Sequence, residues 1–410
     1  MPILNTKTVN LFAKRTRVGR SDKKRAAVIL LMTMVLLGVF PLDVLLPSFP
    51  ALADHLQTTP ADIALSVSLF AFGISLSQLL VGPLSDTFGR KRLLLAGMAT
   101  SIGGAAGCLL TDDFTVFMIF RVIQAIGCGC FVLSQALIQD LFQGEEREQL
   151  RILLVTASGV FITVSPLLGS VLQQAADWPG SFLVFICLST VVLVKTWFMQ
   201  ESPRSETVLH TGILQSYRRV YGNAVFNSYW LIAAATFSCH FSFIVVSPLI
   251  FMDQLHMSTY EYSLTLLLYG TAYIFGGIAA RLLASRIKAN TQIIAGLGMI
   301  LFSGLALLLF SAICKLSVLT VLTPMIICTA GITIARPIAT SKAMDVFADS
   351  AGTSASAGNT LIFICGGAIS ALVNLSGTNL QIALAVACVL LSGAGLGLNY
   401  WICTSHRREV

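Results

Sequence analysis

Two ionisable residues stand inside stretches that are otherwise apolar. Asp43 lies in "MVLLGVFPLDVLLPSFP" (34–50), between Pro41 and Pro47, and Arg121 opens "RVIQAIGCG". An ionised side chain in hydrocarbon costs at least ~2.5–3.5 kcal/mol, so each is a candidate for function. A carboxyl can take up and release a proton. Apolar surroundings favour the neutral form of such a group and a neighbouring cation favours the charged one. Residues three and four apart share a helix face, which puts Arg121, Gln124, Cys128, Phe131 and Gln135 in one stripe. A polar stripe with one aromatic suits a water-filled cavity. Further along, His240 sits among Phe237, Phe241 and Phe243. Blander readings stand beside these. Asp43 is eighteen residues past Arg25, ~27 Å of helix, close to the far side of a ~30 Å core. There it could stabilise a turn before Pro47. Arg121 could snorkel to the interface, and the aromatics and His240 could simply pack.

The elements that must position these residues are membrane spans. Of 410 residues, 56% are hydrophobic and 11% charged, against about 25% charged in soluble domains. Twelve stretches are long and apolar enough to cross a bilayer: 26–48, 61–82, 93–111, 114–137, 151–174, 180–199, 226–252, 261–284, 291–312, 317–338, 353–375 and 379–402. With the N-terminus in the cytoplasm, all of the 26 lysines and arginines except Lys195, Lys315 and Arg121 fall on the inside. Such a bias sets orientation, and an even number of spans leaves both termini cytoplasmic. The net charge of +7 is therefore read as topology and not as a nucleic-acid surface. The ten cysteines lie mostly inside spans and contain no C-x-x-C pair, so they read as small apolar side chains.

The polar stretch "QESPRSETVLHTGILQSYRRVYGNAV" (200–225) divides the spans six and six. The expected domains are a basic cytoplasmic tail (1–25), an N-terminal six-helix half (26–199), a cytoplasmic linker (200–225), a C-terminal six-helix half (226–403) and a cytoplasmic tail (404–410). Two related halves put a substrate site at their interface near mid-membrane. Short loops leave no extramembrane domain for chemistry. No G-x-x-x-x-G-K-[ST] phosphate loop is present, and neither a metal-ligand pattern nor a nucleophile–base pair suggests catalysis. The fold expectation is an all-α polytopic membrane protein with no catalytic, cofactor or metal site.

"GPLSDTFGRKR" closes the second span. Gly82 permits close helix approach, Asp86 can accept from a facing helix end, Gly89 supplies a turn, and Arg90, Lys91 and Arg92 meet the lipid surface. The stretch resembles the G-x-L-x-D-x-x-G-R-[KR] signature of the major facilitator superfamily at Gly82, Leu84, Asp86, Gly89, Arg90 and Lys91. "RVIQAIG" resembles the R-x-x-Q-G-x-G motif of drug:proton antiporters, with Ala125 in place of a glycine. "SPLLGS" in span five keeps Pro166 and Gly169 of the antiporter motif, with Ser165 and Ser170 for glycines. A proline there kinks the helix and suits a hinge. "LDVLLPSFP", "WPGSF", "MQES", Ser247–Pro248 and "AGTSASAGNTLIFICGGAIS" resemble the Bcr/CflA subgroup of twelve-span drug exporters.

The resemblance spans roughly 30–400 and implies proton-driven export by alternating access. It implies proton coupling through Asp43 and Arg121, in spans that face one cavity. The cavity would include Gln124, Cys128, Phe131, Gln135, His240 and Phe241. It also implies a cytoplasmic gate of Gly82, Asp86, Gly89, Arg90 and Arg92 with Asp140 and Arg147 of the loop "QDLFQGEER", and a hinge at Pro166 and Gly169. The expected partners are a small-molecule substrate, protons and the bilayer, with the chain acting as a monomer in the inner membrane. Lipophilic drugs fit an apolar aromatic cavity. Export of an endogenous metabolite such as a carboxylate-type siderophore, and proton-coupled uptake, are the alternatives.

Overall fold

The structure is a computed structural model that describes residues 6–142, 144–198, 213–284, 287–347 and 351–406. Among these residues the chain is helical throughout: α1 (Thr6–Asp43), α2 (Phe49–His55), α3 (Pro60–Phe88), α4 (Arg90–Leu109), α5 (Phe114–Cys128), α6 (Leu133–Leu141), α7 (Gly144–Ala176), α8 (Pro179–Trp197), α9 (Ile213–Tyr221), α10 (Ala224–Pro248), α11 (Thr259–Ala284), α12 (Ala289–Ile313), α13 (Val318–Val346), α14 (Ala351–Asn374) and α15 (Leu380–His406). Twelve segments are long and apolar enough to cross a membrane. Each overlaps one of the twelve expected spans.

The ends of these helices follow from local chemistry. Thr59 and Asp62 form a reciprocal capping box at α3 with Pro60 in its first turn, which satisfies otherwise orphaned N–H groups. Asp113 caps α5 by accepting from the Val116 N–H at 2.8 Å. Asn223 caps α10 by accepting from Phe226 at 2.9 Å. Gly89 joins α3 to α4 with φ of 92°, a conformation that a side chain strains. Two spans are interrupted. Between α5 and α6 the chain tightens into a 3-10 turn, Gly129–Val132. Beyond Pro248, α10 widens into a π turn, Leu249–Gln254.

Three expectations about these elements need correction. Span four is not one straight helix, because the 3-10 turn breaks it. The segment "QDLFQGEER" is hardly a loop: α6 runs to Leu141 and α7 starts at Gly144. Span ten does not stop near 338. α13 continues to Val346, so Lys342, like Arg336 before it, belongs to the helix and not to a loop beyond it.

The halves meet along two seams. On one, α3 packs against α14: Ser68 Oγ lies 2.8 Å from Ser370 Oγ, and Asn374 donates to the Ala61 carbonyl at 2.7 Å. A Cβ on Gly82 would stand 2.7 Å from Ser356 Oγ. On the other, α7 packs against α11: Ser263 donates to the Pro166 carbonyl at 3.0 Å and Thr163 to the Gly270 carbonyl at 3.2 Å. Small side chains at these crossings bring the backbones close, as membrane helix pairs require.

Candidate functional site

The Asp113 cap fixes the start of α5, and Arg121 follows two turns later on its inward face. Its guanidinium is fully buried. One nitrogen donates to Gln124 Oε1 at 2.8 Å. Another donates to the Pro41 carbonyl at 3.1 Å, and the group lies 4.2 Å over the Phe70 ring. Pro41 is in the last turn of α1, where carbonyls lack intrahelical donors and carry the negative end of the helix dipole. Arg121 therefore caps α1 from α5. Its Nε has no partner among the described residues. A small cleft lined by Phe40, Pro41, Leu45, Arg121, Gln124 and Ser181 opens beside it.

This arrangement changes the expected stripe. Arg121, Gln124, Cys128 and Phe131 are all buried. They pack against α1, α3 and α4, and Arg121 and Gln124 line the small cleft at the end of α1. The guanidinium is consumed by a helix end, its neighbour on the same turn and an aromatic face.

Asp43 is the last residue of α1 and is 9% exposed. It has no hydrogen bond or ion pair among the described residues. The expected direct attraction to Arg121 is replaced by an indirect link, since Arg121 binds the carbonyl two residues earlier. Tyr262 of α11 lies within electrostatic range of Asp43. Tyr262 itself pairs with Ser247 of α10 at 2.9 Å. A Cβ on Gly169 would collide with the Val44 carbonyl and with Pro47, so that glycine lets α7 close over the end of α1. Pro166 and Gly169 thus stand one turn apart, the first bonded to α11 of the opposite half and the second pressed against α1.

At the other end of α3, Gly82 faces Ser356 and Gly89 makes the turn into α4, which begins with Arg90 and carries Arg92 in its first turn. The side chains of Asp86, Gln135, Asp140 and Arg147 lie outside the described residues. An ion pair is nevertheless present nearby: Lys24 of α1 meets Glu146 in the first turn of α7 at 2.6 Å.

In the second half, His240 and Phe241 are buried on α10. His240 Nδ1 is 2.7 Å from the Tyr269 hydroxyl. Phe241 stacks on Phe237 with centroids 5.3 Å apart.

Sequence reasoning missed several participants. Tyr262 and Ser263 gave no signal, because serine and tyrosine are ordinary in spans, and Ser247 was noted only for its place in the Ser247–Pro248 pair. Tyr217 and Tyr221 of α9 bond to opposite halves, Tyr217 to the Leu79 carbonyl at 2.9 Å and Tyr221 to the Ala357 carbonyl at 3.1 Å. Their four-residue spacing was the available clue. Arg336 lies inside the tenth expected span, and an ionisable residue within a span was itself the available signal.

A profile of the Major Facilitator Superfamily matches residues 29–371. The chain is 28% identical over 387 residues to a chloramphenicol resistance protein of Pseudomonas aeruginosa, covering 91% of this chain and 90% of that one. It is 24% identical over 363 residues to the multidrug resistance protein MdtL of Citrobacter koseri, covering 87% and 92%. The crystal structure of a D-xylose–proton symporter superposes with a TM-score of 0.71 at 16% identity, covering 90% of this chain and 96% of that one. Twelve spanning helices in two halves, the Gly82–Arg92 turn at their seam and a match over most of its length make this chain a member of the Major Facilitator Superfamily, a multi-pass membrane transporter and not an enzyme.

Proposed function

We propose that the chain exports a small lipophilic organic molecule, of the drug class, by proton antiport and alternating access. One observation carries this reading. The Asp43 carboxyl is buried where the end of α1 meets α11 of the other half, and no donor among the described residues serves it. A charged carboxylate needs water or a cation there. Ionisation therefore works against closure of this junction, and protonation permits it.

The cycle follows. With the junction open to the outside, Asp43 takes a proton as substrate leaves. The neutral carboxyl lets α1, α7 and α11 close. When the opposite side opens, the proton is released inward and the site is reset for substrate. Arg121 holds the last turn of α1 and so fixes where Asp43 stands. Gly82, Asp86, Gly89, Arg90 and Arg92, with Asp140 and Arg147, form the cytoplasmic gate in this scheme, and Pro166 and Gly169 the hinge. Residues 1–25 and 404–410 are cytoplasmic tails, and 200–225 links the halves, placing α9 on the cytoplasmic side of the inner membrane. The names of the relatives support drug efflux, and the chain is taken to act as a monomer.

The test is proton-coupled flux in proteoliposomes, with chloramphenicol as the first probe. Asp43→Asn should abolish pH-gradient-driven transport while leaving substrate exchange without a gradient. Undiminished gradient-driven flux in Asp43→Asn would sink the coupling role.

A further inference from the structure

A second arginine lies in the interior of the C-terminal half. Arg336 is 18 residues beyond Val318, the first residue of α13. Its position around the helix decides where it points. Leu319, Pro337 and Ser341 mark the exposed side of α13, whereas Met325, Thr329, Ile332 and Ala343 are buried. At about 100° per residue, Arg336 falls on the buried side with Thr329 and Ile332. Yet Arg336 itself is only half-buried. The side chain thus lies on the inward side of the helix without being fully enclosed by protein.

The surroundings of this arginine are aromatic. Its guanidinium sits 4.9 Å over the Phe237 ring. Phe237 stacks on Phe241 and meets Phe363 of α14 edge-on at 5.4 Å. Gly366 makes room for this: a Cβ there would stand 2.7 Å from the Phe237 ring. His240 lies close enough to feel the charge of Arg336, but its Nδ1 is engaged by Tyr269. Among the described residues the Arg336 guanidinium makes no hydrogen bond and no ion pair. Phe237 lies 13 residues into α10, about 20 Å from that end, which places the group near mid-membrane. Arg121, by contrast, is fully buried and both of its terminal nitrogens already donate, to Gln124 and to the Pro41 carbonyl.

We propose that Arg336 is the anion-recognising residue of the substrate site, binding a carboxylate or similar anionic group of the transported molecule while Phe237, Phe241 and Phe363 hold its planar apolar part. A guanidinium presents a fork of donors that matches a carboxylate, and five donors with no acceptor in mid-membrane call for one. This deepens the export reading by naming a substrate class, an aromatic or amphiphilic anion, and rests on that reading for the direction of transport.

The test uses three probes on one ring system: 1-naphthoate, 1-naphthylmethanol and 1-naphthylmethylamine. Binding to the full-length protein in lipid nanodiscs is titrated by intrinsic fluorescence, with no proton gradient. Wild type should bind naphthoate at least tenfold more tightly than the alcohol or the amine. Arg336→Gln should lose that preference while keeping its affinity for the alcohol, and Arg336→Lys should keep part of it. Retained alcohol binding shows that the variant is folded. Should Arg336→Gln fail to fold, Arg336→Lys together with Phe237→Leu gives the same reading, the first weakening naphthoate alone and the second weakening all three probes. No naphthoate binding by wild type at millimolar concentration, tightest binding of the amine, or naphthoate affinity unchanged in Arg336→Gln each overturns the proposal. Arg336-dependent binding without any gradient-driven flux would instead sink the export reading and leave this one standing.

Discussion

The Arg121 guanidinium donates to the carbonyl of Pro41, 80 positions earlier in the chain and two before Asp43. The bond joins the fourth span to the end of the first. It fixes the height of Asp43 without touching its carboxyl. Arg121→Ala would leave the Pro41 carbonyl and Gln124 Oε1 without their donor, at about 1–3 kcal/mol for each buried acceptor. A single ammonium cannot reproduce the forked contact and the stacking on Phe70, so Arg121→Lys should recover less than half of the loss. Thermal unfolding of the purified protein measures both, and a melting temperature within a degree of wild type for Arg121→Ala would contradict the capping role.

Asp43→Asn keeps the size of the side chain and removes its charge. Melting should therefore be unchanged or slightly raised, while gradient-driven flux falls by at least about tenfold. Loss of both stability and flux would point to a structural acid.

Gly82 and Gly169 are tested by adding bulk. Gly82→Val forces α3 away from Ser356 of α14, and Gly169→Val forces α7 off the end of α1. Overpacking of this kind costs about 1–3 kcal/mol. Cysteine pairs placed across each seam should crosslink in wild type and lose at least half of that yield in the matching variant only. Equal yields in both backgrounds would show that the helices do not need these glycines to meet.

Tyr217 supplies a pH dependence. Burial pushes its phenol up to about 12 from its ordinary value near 10. The folded state thus holds this proton after the unfolded chain has released it. The stabilisation from Tyr217 is complete below about pH 10 and is lost as pH rises towards 12. Wild type should therefore lose stability over this window faster than Tyr217→Phe. Parallel curves for the two proteins would show that the hydroxyl is not held as described.

Much of the architecture was legible because spanning helices declare themselves by length and apolarity. The Gly82–Arg92 turn was legible because only glycine tolerates its backbone. The details of the site were not, for reasons that differ by residue. The stripe from Arg121 to Phe131 assumed one uninterrupted helix facing water, but periodicity says which residues share a side and not what lies opposite. The partner of Arg121 is a main-chain carbonyl, which every residue possesses and no sequence distinguishes. Arg336 was passed over because it stands two residues from the end of its expected span, where a basic residue reads as an interface anchor. Ser263 matters through a bond made across 97 positions of chain and Tyr262 through its hydroxyl pair with Ser247 of the preceding helix, and nothing local reports them.

The π turn at Leu249–Gln254 gives the C-terminal end of α10 a reserve of slack. It holds one residue more per turn than the helix beneath it. Its Phe251 ring lies 6.4 Å from that of Tyr262, the phenol within electrostatic range of Asp43. Were the turn to tighten to ordinary pitch, everything beyond it would swing by about 100° and advance about 1.5 Å. That motion would draw Phe251 off Tyr262 without unwinding the buried helix below. A twist confined to one turn would thus loosen the contact between α10 and α11 at Tyr262 and leave the stacked rings of Phe237 and Phe241 undisturbed.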